Sequence, residues 1–312
     1  MYAVFRKELA DYLESKRFSI LFVLATMAAV FAVYLAVQNI RGAVTSSSEF
    51  VFLKIFTISS ETLPSFLFFI SIFIPIIGIA FGFDAINNER TSGNLSRLLS
   101  QPIYRDSIIN GKFLASLAVL SFIVVSVIAI VGGLGLRIIG VPPDSEEVLR
   151  LIAFALTSII YGAFWVALAT LFSVSFDRAA TSMLAALALW LFFFFFVYMI
   201  AGAIADARVP IDSNSSFEMI AKNAEIQGMI NRISPCNLYG ESIVALLTPE
   251  IASLNPALMM ISVIAAGRML TPLNFAQSLL LVWPQIVTMV ALATICFAIS
   301  YIRFIKQEIR AT

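Results

Sequence analysis

Six stretches of this chain run without a single Asp, Glu, Lys or Arg: 18–40, 62–83, 113–136, 151–176, 179–205 and 269–302. Each is longer than the roughly 20 residues that carry an α-helix across the hydrocarbon core of a bilayer. A soluble fold needs about a quarter of its residues charged, and here the share is 12% against 60% apolar, with a mean hydropathy of +0.96. The chain therefore reads as an all-α integral membrane protein with six transmembrane helices.

A seventh apolar window, 251–267, is shorter and holds Pro256. It is read as a buried or interfacial helix on the outer side. If it crossed, Arg303, Lys306 and Arg310 would lie outside, against the excess of basic residues expected on the cytoplasmic side. With six crossings both termini share a side, which then holds Arg6, Lys7, Lys16, Arg17, Arg90, Arg97, Arg105, Lys112, Arg178, Arg303, Lys306 and Arg310. The short opposite loops and span ends hold Arg41, Lys54, Arg137 and Arg150. That imbalance places both termini in the cytoplasm, in the cell membrane. The long outer loop adds basic residues, but long loops carry little topological weight.

The start of the chain is too long and too mixed in charge for a cleavable signal peptide. Tyr2, Phe5, Leu9, Tyr12 and Leu13 recur at helical spacing opposite Arg6, Lys7, Asp11 and Glu14, which predicts an amphipathic helix in the inner headgroup region over 1–17. The whole of 1–312 is then one transmembrane domain. Spans run at about 18–40, 62–83, 113–136, 151–176, 179–205 and 275–302, with a cytoplasmic loop at 84–112 and a helical external segment at 206–274. Within that segment "SSFE" at 215–218 has the form of a capping box, with Phe217, Ile220, Ala224 and Ile233 following on one side. Pro235 is expected to close that helix, and Thr271 and Pro272 to open the last span.

Composition also removes chemistries. There is no histidine, so a histidine-ligated intramembrane zinc site and a serine–histidine protease are excluded. The two cysteines are too few for a zinc cluster, and they fall at different depths. The net charge of +1 gives no sign of nucleic-acid binding. Spans free of ionisable groups weaken a proton or ion relay. Gly78 and Gly82, with Ser182 and Ala186, read as close helix packing, with a homodimer seam as the weaker alternative. The run "FFFFF" at 192–196 is read as lipid or core contact.

The loop 84–112 is the polar exception, carrying seven charges between two very apolar spans. Asp84 ends the second span, and Glu89 and Arg90 form a desolvated pair that fixes the exit angle. Gly93 allows a bend. Leu95, Leu98 and Leu99 share one face of a short helix that Pro102 ends. An exposed leucine face calls for a cover, either the headgroups or a groove on a partner.

The stretch "NNERTSGNLSRLLSQPIYRDSIINGKFLAS" resembles the first cytoplasmic loop of type-2 ATP-binding cassette (ABC) transporter permeases. The match falls on Glu89, Arg90, Gly93, Leu95, Leu98, Leu99, Ser100, Pro102, Arg105, Gly111 and Lys112. "LFSVSFDRAATSML" resembles the second inner turn, around Asp177 and Arg178. The N-terminal helix and "ISPCNLYGESIVALL" resemble the corresponding family segments. The resemblance implies a coupling helix in this loop, seated in a groove of a separate cytoplasmic ABC ATPase subunit, and a second permease copy or related chain. It also implies outward transport as the default direction. ATP and Mg would sit on the ATPase, because Gly111–Lys112 has Asp106 where a phosphate-cradling loop needs glycine. No cofactor, catalytic or metal-ligating residue is expected in this chain. A membrane assembly or signalling subunit that docks a cytoplasmic partner without transport is the alternative.

Overall fold

The computed structural model describes residues 1–43, 50–58, 65–91, 104–212, 215–250 and 272–306. The sequence readings of 92–103, 251–267, Thr271 and Arg310 lie outside them. Among the described residues the chain is helical throughout, with no strand, and six helical runs are long and apolar enough to cross a membrane.

Helix α1 (Tyr2–Glu14) leads through Ser15 into the first span, α2 (Lys16–Ala43). A short turn, α3 (Lys54–Thr57), precedes the second span, formed by α4 (Phe66–Gly82) and continued by α5 (Asn87–Thr91). The third and fourth spans are α6 (Arg105–Ile139) and α7 (Ser145–Ser175). The fifth joins α8 (Ala179–Leu191) to α9 (Val197–Arg208) through a π-turn at Phe192–Phe196. Then come α10 (Phe217–Asn231), α11 (Pro235–Leu247) and the last span, α12 (Phe275–Lys306).

Helix α7 is the axis of the bundle and packs on α4, α6, α8, α11 and α12. Its close approach to α4 depends on missing side chains. A Cβ on Gly78 would stand 2.9 Å from Trp165 Cβ, and one on Gly82 would stand 2.7 Å from Ala169 Cβ. The G-x-x-x-G face is therefore consumed by packing within the chain and is no homodimer seam. Ser182 and Ala186 are likewise fully buried. Helix α2 approaches the bundle through a stripe of small residues, Ala25, Ala29, Ala32 and Ala36.

Several local readings are corrected. Ser216, not Ser215, caps α10 by accepting from the Met219 amide at 3.4 Å. Ile233 lies beyond that helix, and Pro235 opens α11 at its first position instead of closing α10. Proline suits the first helical turn because no helical partner awaits its missing N–H. The last span is capped by Asn274, whose Oδ1 accepts from Gln277 N at 2.9 Å while Gln277 Oε1 accepts from Asn274 N at 3.2 Å. The "FFFFF" run is a π-turn with none of its rings buried. A π-turn shifts the backbone ladder by one residue, and the Phe193 carbonyl accepts from Ser234 Oγ at 2.9 Å.

Candidate functional site

The end of the bundle that carries α1 collects most of the charge outside the spans. Helix α1 does not only lie along a surface. Its Val4, Glu8 and Tyr12 recur every fourth residue and turn toward α6 and the end of α4. A Cβ on Gly111 would meet Val4 Cγ1 at 2.9 Å, so glycine at this position lets α1 press onto α6. Tyr12 Oη donates to the Phe81 carbonyl at 3.2 Å, and Ser116 Oγ donates to the same oxygen at 2.9 Å. Burial holds the Tyr12 phenol far above its ordinary range, with the Ser116 hydrogen bond opposing, so it acts there as a neutral donor.

Three charges meet beneath this contact. Lys112 Nζ is 2.9 Å from Glu8 Oε2 and 3.1 Å from Glu89 Oε1, with the lysine and Glu8 side chains only 5% and 8% exposed. Lys7 adds a partner to Glu8 at 3.2 Å from the water side. A buried charge is tolerated where it is paired, and here two carboxylates supply the partners. Nearby, Arg17 Nη1 reaches Asp84 Oδ2 at 2.6 Å, and its guanidinium lies 5.1 Å from the Phe83 ring centre.

The expected Glu89–Arg90 pair is corrected, because each residue takes a different partner. Adjacent positions on a helix point about 100° apart, so Glu89 turns to Lys112 while Arg90 turns to α7's end. There Arg90 Nη1 meets Asp177 Oδ1 at 2.7 Å. One turn back on α5, Asn87 is fully buried against Ser173, whose Oγ accepts from the Ile86 and Asn87 amides. Arg105 begins α6, and its Nη1 approaches the Ile305 carbonyl at 3.4 Å. Arg178 is the N-cap position of α8. Gly93, Leu95, Leu98, Leu99, Ser100 and Pro102 fall outside the described residues. The structure thus brings Lys112 and Gly111 onto α1, ties Glu89 to Lys112, and joins Arg90 to Asp177.

The opposite end is organised by Arg150, which is fully buried with all five donor hydrogens engaged. Its fork reaches Glu146, the Leu246 and Leu273 carbonyls and Ser278 Oγ. Glu147 accepts from the Phe52 and Asp144 amides at 3.0 and 2.9 Å. These two residues fasten α3, α11 and the root of α12 to the start of α7. Farther down α12, about 15 Å from its start at 1.5 Å per residue, Gln285 Nε2 donates to Glu241 Oε2 at 3.0 Å. Glu241 also pairs with Arg232 at 3.1 Å. An ion pair thus stands beside the last span, although residues 275–302 of that span carry no charge.

Sequence reasoning missed Glu8, Glu147, Arg150 and Glu241. Glu8 was detectable from the four-residue step Val4–Glu8–Tyr12. Glu147 was detectable from Asp144–Glu147, a capping-box spacing after "VPP". Among the described residues, no three His, Cys, Asp or Glu side chains converge as a metal site.

Residues 2–309 match the family described as ABC-2 family transporter protein. The chain belongs to that family. A similar protein is the "Probable ABC transporter permease protein NosY" of Pseudomonas aeruginosa, 27% identical over 198 residues, or 62% of this chain. The chain covers 66% of that relative, just under two thirds of its length. As an ABC-2 family member with six apolar helices, this chain is a multi-pass membrane protein of a transporter family.

Proposed function

We propose that this ABC-2 permease is the membrane half of an exporter driven by a separate ATPase subunit docked on the 84–112 loop. Both termini and that loop face the cytoplasm, in the plasma membrane. ATP and Mg are bound by the partner, and two permease copies, or this chain and a related one, enclose the path. The fifth span supports the pairing of copies, because it is the least buried within the chain, 11% against 22% for the first and last spans and 50–56% for the second, third and fourth.

The observation that carries the reading is the Glu8–Lys112–Glu89 cluster. Glu89 lies on α5, which continues the second span, and Lys112 lies two turns into α6, where the chain has returned to the bundle. Lys112 therefore ties both roots of the loop to each other and to α1. A loop held at both roots passes a push from its tip to the helices instead of absorbing it. Leu95, Leu98 and Leu99 are the proposed docking face, and Gly93, Ser100, Pro102 and Arg105 shape the loop around it. Arg90 with Asp177, next to Arg178, carries the motion to the turn between the fourth and fifth spans.

The test is co-purification of the ATPase with the permease carrying Leu98→Asp and Leu99→Asp. The reading expects the complex to be lost while the permease still folds and inserts. An undiminished complex with unchanged ATP hydrolysis rejects it.

A further inference from the structure

A groove of about 420 Å³ runs between the start of α1 and the outward side of α6. Its walls are Tyr2 and Phe5 on one side and Leu114, Leu117, Ala118 and Ser121 on the other. The four α6 residues step by three and four and so form one stripe. Ser121 does not break its apolar character, because its hydroxyl is spent on the Leu117 carbonyl at 2.7 Å. The volume lies in the range of small-molecule pockets, and the groove follows a membrane-spanning helix at the level where α1 crosses it.

Two further features bear on the occupant. The α1 face that flanks the groove stays uncovered, with Tyr2 73% and Leu13 40% exposed. Arg6, one turn after Tyr2, is exposed and makes no ion pair among the described residues. Of the other exposed charged residues of α1, Lys7 and Asp11 pair with each other at 3.3 Å, and Glu14 stands at the far end of the helix from Tyr2. An apolar slot against a membrane-spanning helix, with an exposed, unpaired arginine next along α1 from Phe5, matches a lipid with a negative headgroup.

We propose that this groove seats an acyl chain of an anionic phospholipid, with Arg6 holding its phosphate. The lipid wedges between α1 and α6 and completes the packing of α1. This site stands apart from the ATPase reading and does not depend on it.

The experiment titrates the purified full-length chain in detergent with phosphatidylglycerol, phosphatidylcholine or inorganic phosphate. Bound lipid is counted by native mass spectrometry and the melting temperature is followed. Phosphatidylglycerol should bind and raise the melting temperature, whereas inorganic phosphate should do nothing. Arg6→Gln, at an exposed position, should weaken phosphatidylglycerol about fivefold, the effect of one basic residue near an anionic surface. It should leave phosphatidylcholine unchanged. Ala118→Phe, which fills the groove, should remove the bound lipid. Equal binding of the two lipids, a response to phosphate alone, or wild-type affinity in both variants would overturn the proposal. So would a change of oligomeric state in Ala118→Phe without loss of lipid.

Discussion

Glu8 and Lys112, 104 positions apart in sequence, meet at 2.9 Å with neither side chain more than 8% exposed. The contact turns the N-terminal helix from a surface element into part of the base of the charged loop. Because Lys112 also holds Glu89, deleting the lysine strands two carboxylates in a poorly hydrated place. Lys112→Met should cost about 3 to 5 kcal/mol, the usual penalty for breaking a buried pair. Adding Glu8→Gln and Glu89→Gln should return much of it. Thermal melts of the single and triple variants in detergent measure both effects.

The Arg90–Asp177 pair should behave differently. Asp177 is 89% exposed, so water and salt screen the pair, and exposed ion pairs contribute about 1 kcal/mol or less. Asp177→Asn should leave the melting temperature nearly unchanged while weakening ATPase-dependent function, if the pair passes motion between α5 and the turn before α8. A large loss of stability would show that the pair is structural.

The spans were legible because lipid tolerates few charges, and a charge-free window records that directly. The inward side of α1 was not legible from its hydrophobic residues, because its central inward residue is Glu8, whose partner lies in the third span. The same holds for Glu241. A search for charges inside spans passes over it, since it belongs to the outer segment and reaches Gln285 only through the fold of α11 against α12. Pro235 was read as a stop, although proline marks helix starts as well as ends. Ser234, an N-cap residue type directly before it, is the signal that marks a start. The loop's ion partners depended on helix phase, and neighbours in sequence such as Glu89 and Arg90 separate widely around a helix.

Glycines give a paired test of the packing. Gly82→Val should destabilise by about 1 to 3 kcal/mol through overpacking, because its Cβ would sit 2.7 Å from Ala169 Cβ and 2.9 Å from the Val166 carbonyl. Gly228 in α10 has nothing within 4 Å of such a Cβ. Gly228→Ala should therefore raise stability, by about 1 kcal/mol at most, from helix propensity alone. Melting curves of the two variants should move in opposite directions.

Burial pushes the Cys236 thiol up to about 11, with hydrogen bonds from Tyr161 and Ser234 opposing. The folded state thus keeps a proton that the unfolded chain, ordinary for a thiol at 9.0, releases earlier. The stability from this group is complete below about 9 and is lost as pH rises toward 11. Maleimide labelling of Cys236 in folded protein should be slow at neutral pH and accelerate up to that range. Fast labelling at pH 7 would contradict the buried environment.

The most direct measurement places a photo-crosslinking amino acid at Leu98 in cells that also express the ATPase. A covalent adduct between the permease and a cytoplasmic ATPase is expected, reduced when Lys112→Met loosens the loop's roots. An adduct formed only with partners on the outer side of the membrane, or none with any ATPase, would contradict it.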